Sequence, residues 1–300
     1  MENLPKDHFV TSMQYTRHTY QDQYPSIDPT NPELSMAGKV VIITGASRGL
    51  GALGVVPAFA KAGPKAIVLV ATNASKLAAV EAEVKKINPA VQTLSVATNI
   101  SDADSVAALF DKVKATYGHA DVLVNVAAVL AGGGTLHEED PALWWQNFEV
   151  NTKGAFLLAK YFVATLPSPD TPATIINFTT GAAWIVIPHM SGYGISKLAV
   201  MQLTAHLAAT YPNITAVAVH PGLIETDMFD PVFKRFSLDT PELAGGTALW
   251  LASDKARFLT GRTVAANWSV DDLEARKDEI TAGKDLQVHL VGTFGKEQFE

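Results

Sequence analysis

Six short, almost uninterrupted apolar stretches alternate with helix-forming segments along this chain, and few folds accommodate such an alternation. Strands with apolar residues at successive positions are buried on both faces, as happens where helices cover both sides of a parallel sheet. Repeated strand–helix–strand units with right-handed crossovers predict an α/β fold, a doubly wound parallel sheet in a single domain. The seven predicted strands are Val40–Thr44, Ala66–Val70, Val91–Val96, Asp121–Asn125, Thr174–Phe178, Ile214–Val219 and Thr263–Ala265.

The predicted helices are marked by their first residues. Asp140–Pro141 and Thr240–Pro241 each predict an N-cap followed by proline at the first helical position. Ser101 with Asp104 resembles a capping box at the start of another helix. Near the end of the chain, Val270–Ala282 is predicted to form one charged surface helix.

The composition excludes several classes of partner. The 300 residues are 48% hydrophobic and 18% charged, with a net charge of −7. An acidic chain without a basic run is unsuited to nucleic acid or an anionic membrane, and its apolar stretches are far shorter than the roughly 18 residues of a membrane span. The absence of cysteine excludes disulfides, thiolate metal sites and a cysteine nucleophile. So little charge predicts a large core, an oligomer interface, or both.

The first 36 residues lack a periodic apolar pattern and contain four prolines. Two interpretations remain open: a partly disordered arm, or an ordered arm anchored on the domain by Tyr15, Tyr20 and Tyr24. No positively charged stretch precedes an apolar one, so we expect no secretory signal and a cytoplasmic protein. The predicted division of the chain is an arm over 1–36, a domain over 37–268, and a helix and tail over 269–300.

A glycine-rich turn follows the first predicted strand directly, with the sequence Thr44-Gly45-Ala46-Ser47-Arg48-Gly49-Leu50-Gly51. Glycines at this place allow a tight turn and let backbone N–H groups approach a pyrophosphate at a helix N-terminus. Dinucleotide folds that select NAD usually place an acidic residue at the end of the second strand, where this chain has Ala71. Arg48 can instead pair with a 2′-phosphate. The sequence therefore favours NADP(H) over NAD(H).

Tyr193 and Lys197 are four residues apart, a spacing that puts both on one face of a helix. A free tyrosine has a pKa near 10, and a nearby ammonium lowers it by stabilising the phenolate. The pair is therefore a candidate for proton exchange with a substrate.

The order of these motifs resembles the short-chain dehydrogenase/reductase family over roughly residues 37–268, and the arm and Ala266-Asn267-Trp268 look similar to a fungal-type subgroup. The resemblance implies a seven-stranded Rossmann-like sheet. It also implies an oxidoreductase that interconverts a ketone and a secondary alcohol with NADP(H). The matching segments are Thr44–Gly51, Asn125–Ala128, Val150–Gly154, Tyr193–Lys197 and Pro221–Thr226.

The resemblance implies four catalytic residues. Tyr193 would exchange a proton with the substrate oxygen, and Thr180 would hydrogen-bond that oxygen. Lys197 would lower the pKa of Tyr193 and hold the ribose, while Asn151 would position a water. The implied cofactor contacts are Gly45, Ser47, Arg48, Gly49, Leu50, Gly51, Thr72, Asn99, Ile100, Asn125, Ala127, Tyr193, Lys197, Pro221, Gly222, Ile224 and Thr226.

Four positions depart from the family pattern. Thr180 stands in the place of the catalytic serine, and Asn99 in that of a common aspartate. Val126 and Ala128 replace residues of the family's Asn-Asn-Ala-Gly segment. These departures leave two alternatives open: a non-redox isomerase or cyclase of the same fold, and a non-catalytic NADP-binding protein.

Three loops at the carboxyl ends of the predicted strands indicate an apolar pocket for a small-molecule carbonyl or alcohol. Its candidate substrate contacts are Trp184, His189, Leu223 and Phe229. We expect no metal site, because the consecutive residues His137–Asp140 cannot easily converge on one ion. The helices over 152–166 and 193–210 pack across subunits in the resembled family, which implies a homodimer or homotetramer.

Overall fold

The computed structural model describes residues 4–296 and contains a seven-stranded parallel sheet with strand order 3-2-1-4-5-6-7. The order reverses between β1 and β4, so the carboxyl ends of these two strands form the crevice where such sheets bind ligands. The strands are β1 Val40–Thr44, β2 Ala66–Ala71, β3 Gln92–Ala97, β4 Val122–Asn125, β5 Ala173–Phe178, β6 Ile214–His220 and β7 Thr263–Ala265. The predicted doubly wound parallel sheet is therefore confirmed.

Helices cover both faces of the sheet. Phe59 and Trp250 are fully buried in the core on one face, and Phe110 and Phe162 in the core on the other. The helices are α1 His8–Thr11, α2 Val56–Lys61, α3 Ala74–Ile87, α4 Ala103–Tyr117, α5 Pro141–Asn147, α6 Gly154–Ala164, α7 Ser191–Thr210, α8 Pro241–Leu251, α9 Val270–Ala275 and α10 Lys277–Ala282. None of the helices within residues 4–296 is long and apolar enough to cross a bilayer.

The helix starts agree with the sequence in two places and differ in one. Asp140 and Thr240 are N-caps followed by proline, as predicted. The capping box of Ser101 and Asp104 is wrong, because the N-cap of α4 is Asp102, whose carboxylate accepts the Ser105 N–H at 2.7 Å. An aspartate side chain reaches the orphan N–H there, and Asp104 falls in the first turn instead.

The C-terminal segment forms two short helices, α9 and α10, where one charged surface helix was predicted. The backbone leaves the helical region at Arg276, with φ −102° and ψ 11°. The turn lets Leu273 and Ile280, both almost fully buried, pack on the core from two helices of different direction.

The N-terminal arm lies on the domain in an ordered conformation. Tyr20 and Tyr24 stack with ring centroids 3.7 Å apart, and the buried Tyr24 hydroxyl accepts the Val270 N–H at 2.8 Å. The Asn267 side chain donates to the Tyr20 carbonyl at 2.9 Å. Of the two interpretations, the structure therefore favours the ordered arm.

Candidate active site

The glycine turn after β1 brings backbone segments together so closely that side chains are excluded. Gly45 has φ +67°, and a Cβ there would lie 2.8 Å from the Ala127 nitrogen. A Cβ on Gly51 would lie 2.2 Å from the Gly45 carbonyl oxygen. The bare backbone leaves a cradle at the start of a helix, which fits the pyrophosphate of a dinucleotide.

The helix after this turn begins as a π-helix over Gly51–Val55 and continues as α2. Pro57 lies inside this continuous helical segment, directly after the π-helical turn, so its missing N–H falls where the hydrogen-bond pattern changes. A proline at position 57 indicates that the helix after the glycine turn is kinked or starts late. The sequence gives no indication of the π-helical turn itself.

One large cavity of about 420 Å³ extends from the glycine turn along the carboxyl ends of the strands. The predicted cofactor contacts that line it are Gly45, Ser47, Arg48, Gly49, Leu50, Gly51, Thr72, Asn99, Ile100, Ala127, Tyr193, Pro221, Gly222, Ile224 and Thr226. Asn125 and Lys197 lie instead at a separate cavity of about 10 Å³ beneath it. The residues present therefore fit an extended dinucleotide.

Tyr193 lines the large cavity in the first turn of α7. Burial raises the pKa of its hydroxyl to about 12, and a hydrogen bond with Thr180 opposes that rise. Thr180 also caps the short helix after β5 by accepting the Ala182 N–H at 3.3 Å. The structure thus brings together the two hydroxyls that the sequence singled out.

Lys197 is buried, and its ammonium donates to the Phe178 carbonyl oxygen at 2.7 Å. Burial lowers the pKa of this ammonium to about 8. In the chain by itself the pKa of Tyr193 is raised, because desolvation of the phenol outweighs the contact with Thr180. That Lys197 lowers the pKa of Tyr193 stays a prediction.

Asn151 lies in a second π-helical segment, Phe148–Lys153, which precedes α6. Its amide accepts the Val129 N–H at 2.9 Å, and donates to the Val129 carbonyl at 2.9 Å and to the Ser196 hydroxyl at 3.0 Å. Asn151 therefore fastens the loop after β4 to α7, and it also borders the small cavity beside Lys197.

The structure places two of the four predicted substrate contacts, Leu223 and Phe229, at the large cavity. Trp184 and His189 are not among the residues that line it. The Trp184 ring packs edge-on against His220 with centroids 5.7 Å apart. His189 is exposed on a turn with φ +68°.

Three residues at the cavity were missed in the sequence. Phe9 and Met13 of the arm line it, and so does His220 at the end of β6. His220 is buried, its Nδ1 has no hydrogen-bond partner among residues 4–296, and burial lowers its pKa to about 4. Because α1 ends at Thr11, the spacing of Phe9 and Met13 is not a helical pattern, and nothing local in the sequence marks these residues.

No group of three histidine and acidic side chains within the described residues, 4–296, is arranged to hold a metal ion. Within the segment His137–Asp140, the Glu139 carboxylate accepts the Gly133 N–H at 2.8 Å. His137 is exposed.

A parallel sheet with a glycine cradle, a tyrosine at the large cavity and a buried lysine four residues later on the same helix is typical of a dinucleotide-dependent oxidoreductase. The family model for short chain dehydrogenases matches residues 39–236. The chain belongs to the short-chain dehydrogenase family, and curated relatives of it come from fungi.

A short chain dehydrogenase of Monascus purpureus is 35% identical over 281 residues, which cover 91% of this chain and 95% of the relative. Another, from Monascus ruber, is 34% identical and covers 96% of this chain and 95% of its own. Among solved structures, L-sorbose reductase from Gluconobacter frateurii, complexed with NADPH and L-sorbose, has a TM-score of 0.70 and 25% identity. That likeness covers 78% of this chain and 96% of the reductase.

Proposed function

We propose that this chain reduces a ketone to a secondary alcohol with NADPH, and catalyses the reverse reaction with NADP⁺. The observation that supports this most directly is that the Tyr193 and Thr180 side chains are neighbours that line the same large cavity. Two hydroxyls that face one cavity can bind one substrate oxygen, which is the arrangement that carbonyl reduction requires.

The bound nicotinamide supplies or accepts the hydride. Tyr193 donates the proton to the carbonyl oxygen in reduction and takes it back in oxidation. Thr180 orients that oxygen by a hydrogen bond. A phenol with a pKa of about 12 is fully protonated at neutral pH, so the chain is poised as a proton donor.

Lys197 and Asn151 act behind the tyrosine. An ammonium with a pKa of about 8 exchanges protons readily near neutral pH. The cavity beside it has about 10 Å³, room for about one water molecule. We infer that a water there, bordered by Asn151 and Asn125, restores the proton that Tyr193 gives up.

The surroundings of β2 support a preference for NADPH. Ala71 ends this strand at the cavity, and no acidic residue follows before Glu81. Arg48 lies at the cavity mouth with its guanidinium 3.6 Å from the Asp227 carboxylate. Both side chains are exposed, so a 2′-phosphate can compete for Arg48 at little cost.

The walls of the cavity support an apolar substrate, aromatic in character. The residues of the loops after β5 and β6 that line the cavity include many aliphatic, methionine and phenylalanine side chains. These apolar residues are Ile185, Ile187, Met190, Leu223, Met228, Phe229 and Phe233.

The decisive experiment follows NADPH absorbance during turnover of a panel of aryl ketones. Tyr193→Phe should lower kcat by about 100-fold or more, since it removes the proton donor, while NADPH still binds. Tyr161→Phe, a partly buried tyrosine on α6, is the matched control and should keep full activity. Unchanged reduction by Tyr193→Phe would contradict the mechanism, and product formation without NADPH consumption would favour a non-redox reaction.

We also propose that the chain forms a dimer or tetramer through α6 and α7. Phe156 on α6 is 50% exposed and Ile195 on α7 is 48% exposed. Apolar side chains that are this exposed on adjacent helices are typical of protein interfaces.

A further inference from the structure

One part of the wall of the large cavity is built by two separate segments of the chain. Phe229 and Phe233 come from the loop after β6, and Phe9 and Met13 come from the arm. These four side chains line the same cavity as Tyr193 and Thr180. The arm is therefore next to the reacting groups, although it precedes the sheet in sequence.

Phe9 is held against the loop by aromatic contacts. Its ring meets Phe233 edge-on with centroids 5.6 Å apart, and Phe236 with centroids 5.0 Å apart. The Arg235 guanidinium donates to the Leu4 carbonyl at 2.8 Å. Edge-to-face pairs of this kind contribute beyond simple burial, so the arm and the loop form one continuous wall.

Met13 reaches further in, beside the residue that follows Thr180. Its sulfur lies 3.2 Å from the point where a Cβ on Gly181 would stand. The Met13 carbonyl accepts the Trp268 indole N–H at 2.9 Å, which fixes the backbone. Glycine at 181 thus makes room for a side chain from the arm.

The arm behind Met13 is tied to the far end of the chain. The Thr16 hydroxyl accepts the Ser269 N–H at 3.1 Å, and the His18 N–H donates to the Asp272 carboxylate at 2.7 Å. These bonds hold residues 9–13 in place, so Phe9 and Met13 present a defined surface to a ligand rather than a mobile one.

From this geometry we propose that Phe9 and Met13 are specificity-determining residues, which bind the apolar part of the substrate distal to its reacting carbon. The inference rests on the proposed function for the identity of that carbon. The ligand class is a ketone that carries a fused or extended aromatic group, since flat rings match a wall of phenylalanine and methionine side chains.

The test compares two methyl ketones, 2-acetylnaphthalene and butanone, which differ in the group that would meet the wall. The double variant Phe9→Ala, Met13→Ala should raise KM for 2-acetylnaphthalene about tenfold, because it removes apolar contact area. KM for butanone and the Kd for NADPH should change less than about twofold. Val10→Ala is the control, since Val10 is buried next to Phe9 in α1 but does not line the cavity.

Calorimetric titration of 2-acetylnaphthalene in the presence of NADP⁺ measures ketone binding alone, because the oxidised cofactor cannot reduce a ketone. It therefore tests the role of Phe9 and Met13 independently of the proposed reaction. If the unchanged chain binds the ketone but does not reduce it, the proposed reductase function is wrong. The affinities of the unchanged chain and the variants for the ketone then still test whether Phe9 and Met13 bind its aromatic part. Equal affinity in the double variant and Val10→Ala, or no binding by the unchanged chain, would overturn the proposal. A rise in KM for both ketones alike would overturn it too.

Discussion

Lowering the pH should reduce the free energy of unfolding of this protein more than that of the variant His220→Phe, because His220 is buried. The imidazole is buried at the end of β6, and its Nδ1 has no partner within residues 4–296. Burial lowers its pKa from 6.5 to about 4. Between these two values the unfolded chain binds a proton that the folded chain refuses, so stability falls as the pH falls.

The size of the effect follows from the two pKa values. Above about pH 6.5 His220 is neutral in both states and has no effect; below about pH 4 its cost is constant. At pH 5 the gap to the unfolded pKa is about 1.5 pH units, which corresponds to about 2 kcal/mol. Asp239 acts oppositely, because burial raises its pKa to about 6 and its penalty is relieved at low pH. Asp239 is present both in the unchanged chain and in His220→Phe, so its contribution to the pH dependence cancels in the difference between the two free energies of unfolding.

Urea unfolding followed by tryptophan fluorescence, at pH 7 and pH 5, measures this difference. The free energy of unfolding of the unchanged chain, minus that of His220→Phe, should fall by about 2 kcal/mol from pH 7 to pH 5. Phenylalanine keeps a ring for the edge contact with Trp184. A variant of the exposed His206 on α7, His206→Gln, controls for the loss of a surface histidine. The same difference at both pH values would refute the reasoning.

Three further outcomes are expected. Ala71→Asp should reduce the preference for NADPH over NADH, as the ratio of the two kcat/KM values, by about tenfold or more, because a carboxylate repels the 2′-phosphate and accepts the ribose hydroxyl; an unchanged ratio would argue against the assigned cofactor. Gly51→Ala should cost about 2 kcal/mol in urea unfolding, since its Cβ meets the Gly45 carbonyl. Gly134→Ala, with only an ordinary contact at 3.7 Å, should cost far less, and equal losses would contradict the steric argument. Phe156→Glu should shift the sedimenting species toward the 32.0 kDa monomer; an unchanged assembly would place the interface elsewhere.

The sheet was predictable because strands that are covered by helices on both faces need an uninterrupted apolar sequence. Glycine, proline and asparagine mark the turns between the strands and helices. Strands β1 and β7 have their predicted bounds, and the others differ by one residue at one or both ends. The glycine turn could be placed for the same reason, since Gly45 and Gly51 tolerate no side chain. These features depend on local sequence, which a single chain displays.

What could not be predicted depends on residues that are distant in sequence. Burial raises the pKa of Tyr193, and the four-residue spacing to Lys197 does not reveal how far the phenol is removed from water. Trp184 and His189 belong to a loop whose backbone course decides which side chains face the cavity. Phe9 reaches the site only because the arm folds back onto the distant residues Phe233 and Phe236.

Because the arm docks on residues far along the chain, the arm and its docking partners are synthesised at different times. The arm leaves the ribosome before the sheet does, but the groups that hold it, among them Trp268 and Asp272, are synthesised roughly 250 residues later. At about 5–20 residues per second this is an interval of roughly 12–50 s. During that time Met13 lacks the indole that fixes its backbone. The wall beside Thr180 is therefore completed only after Trp268 has been made, and a nascent chain that stops short of it has no finished substrate site.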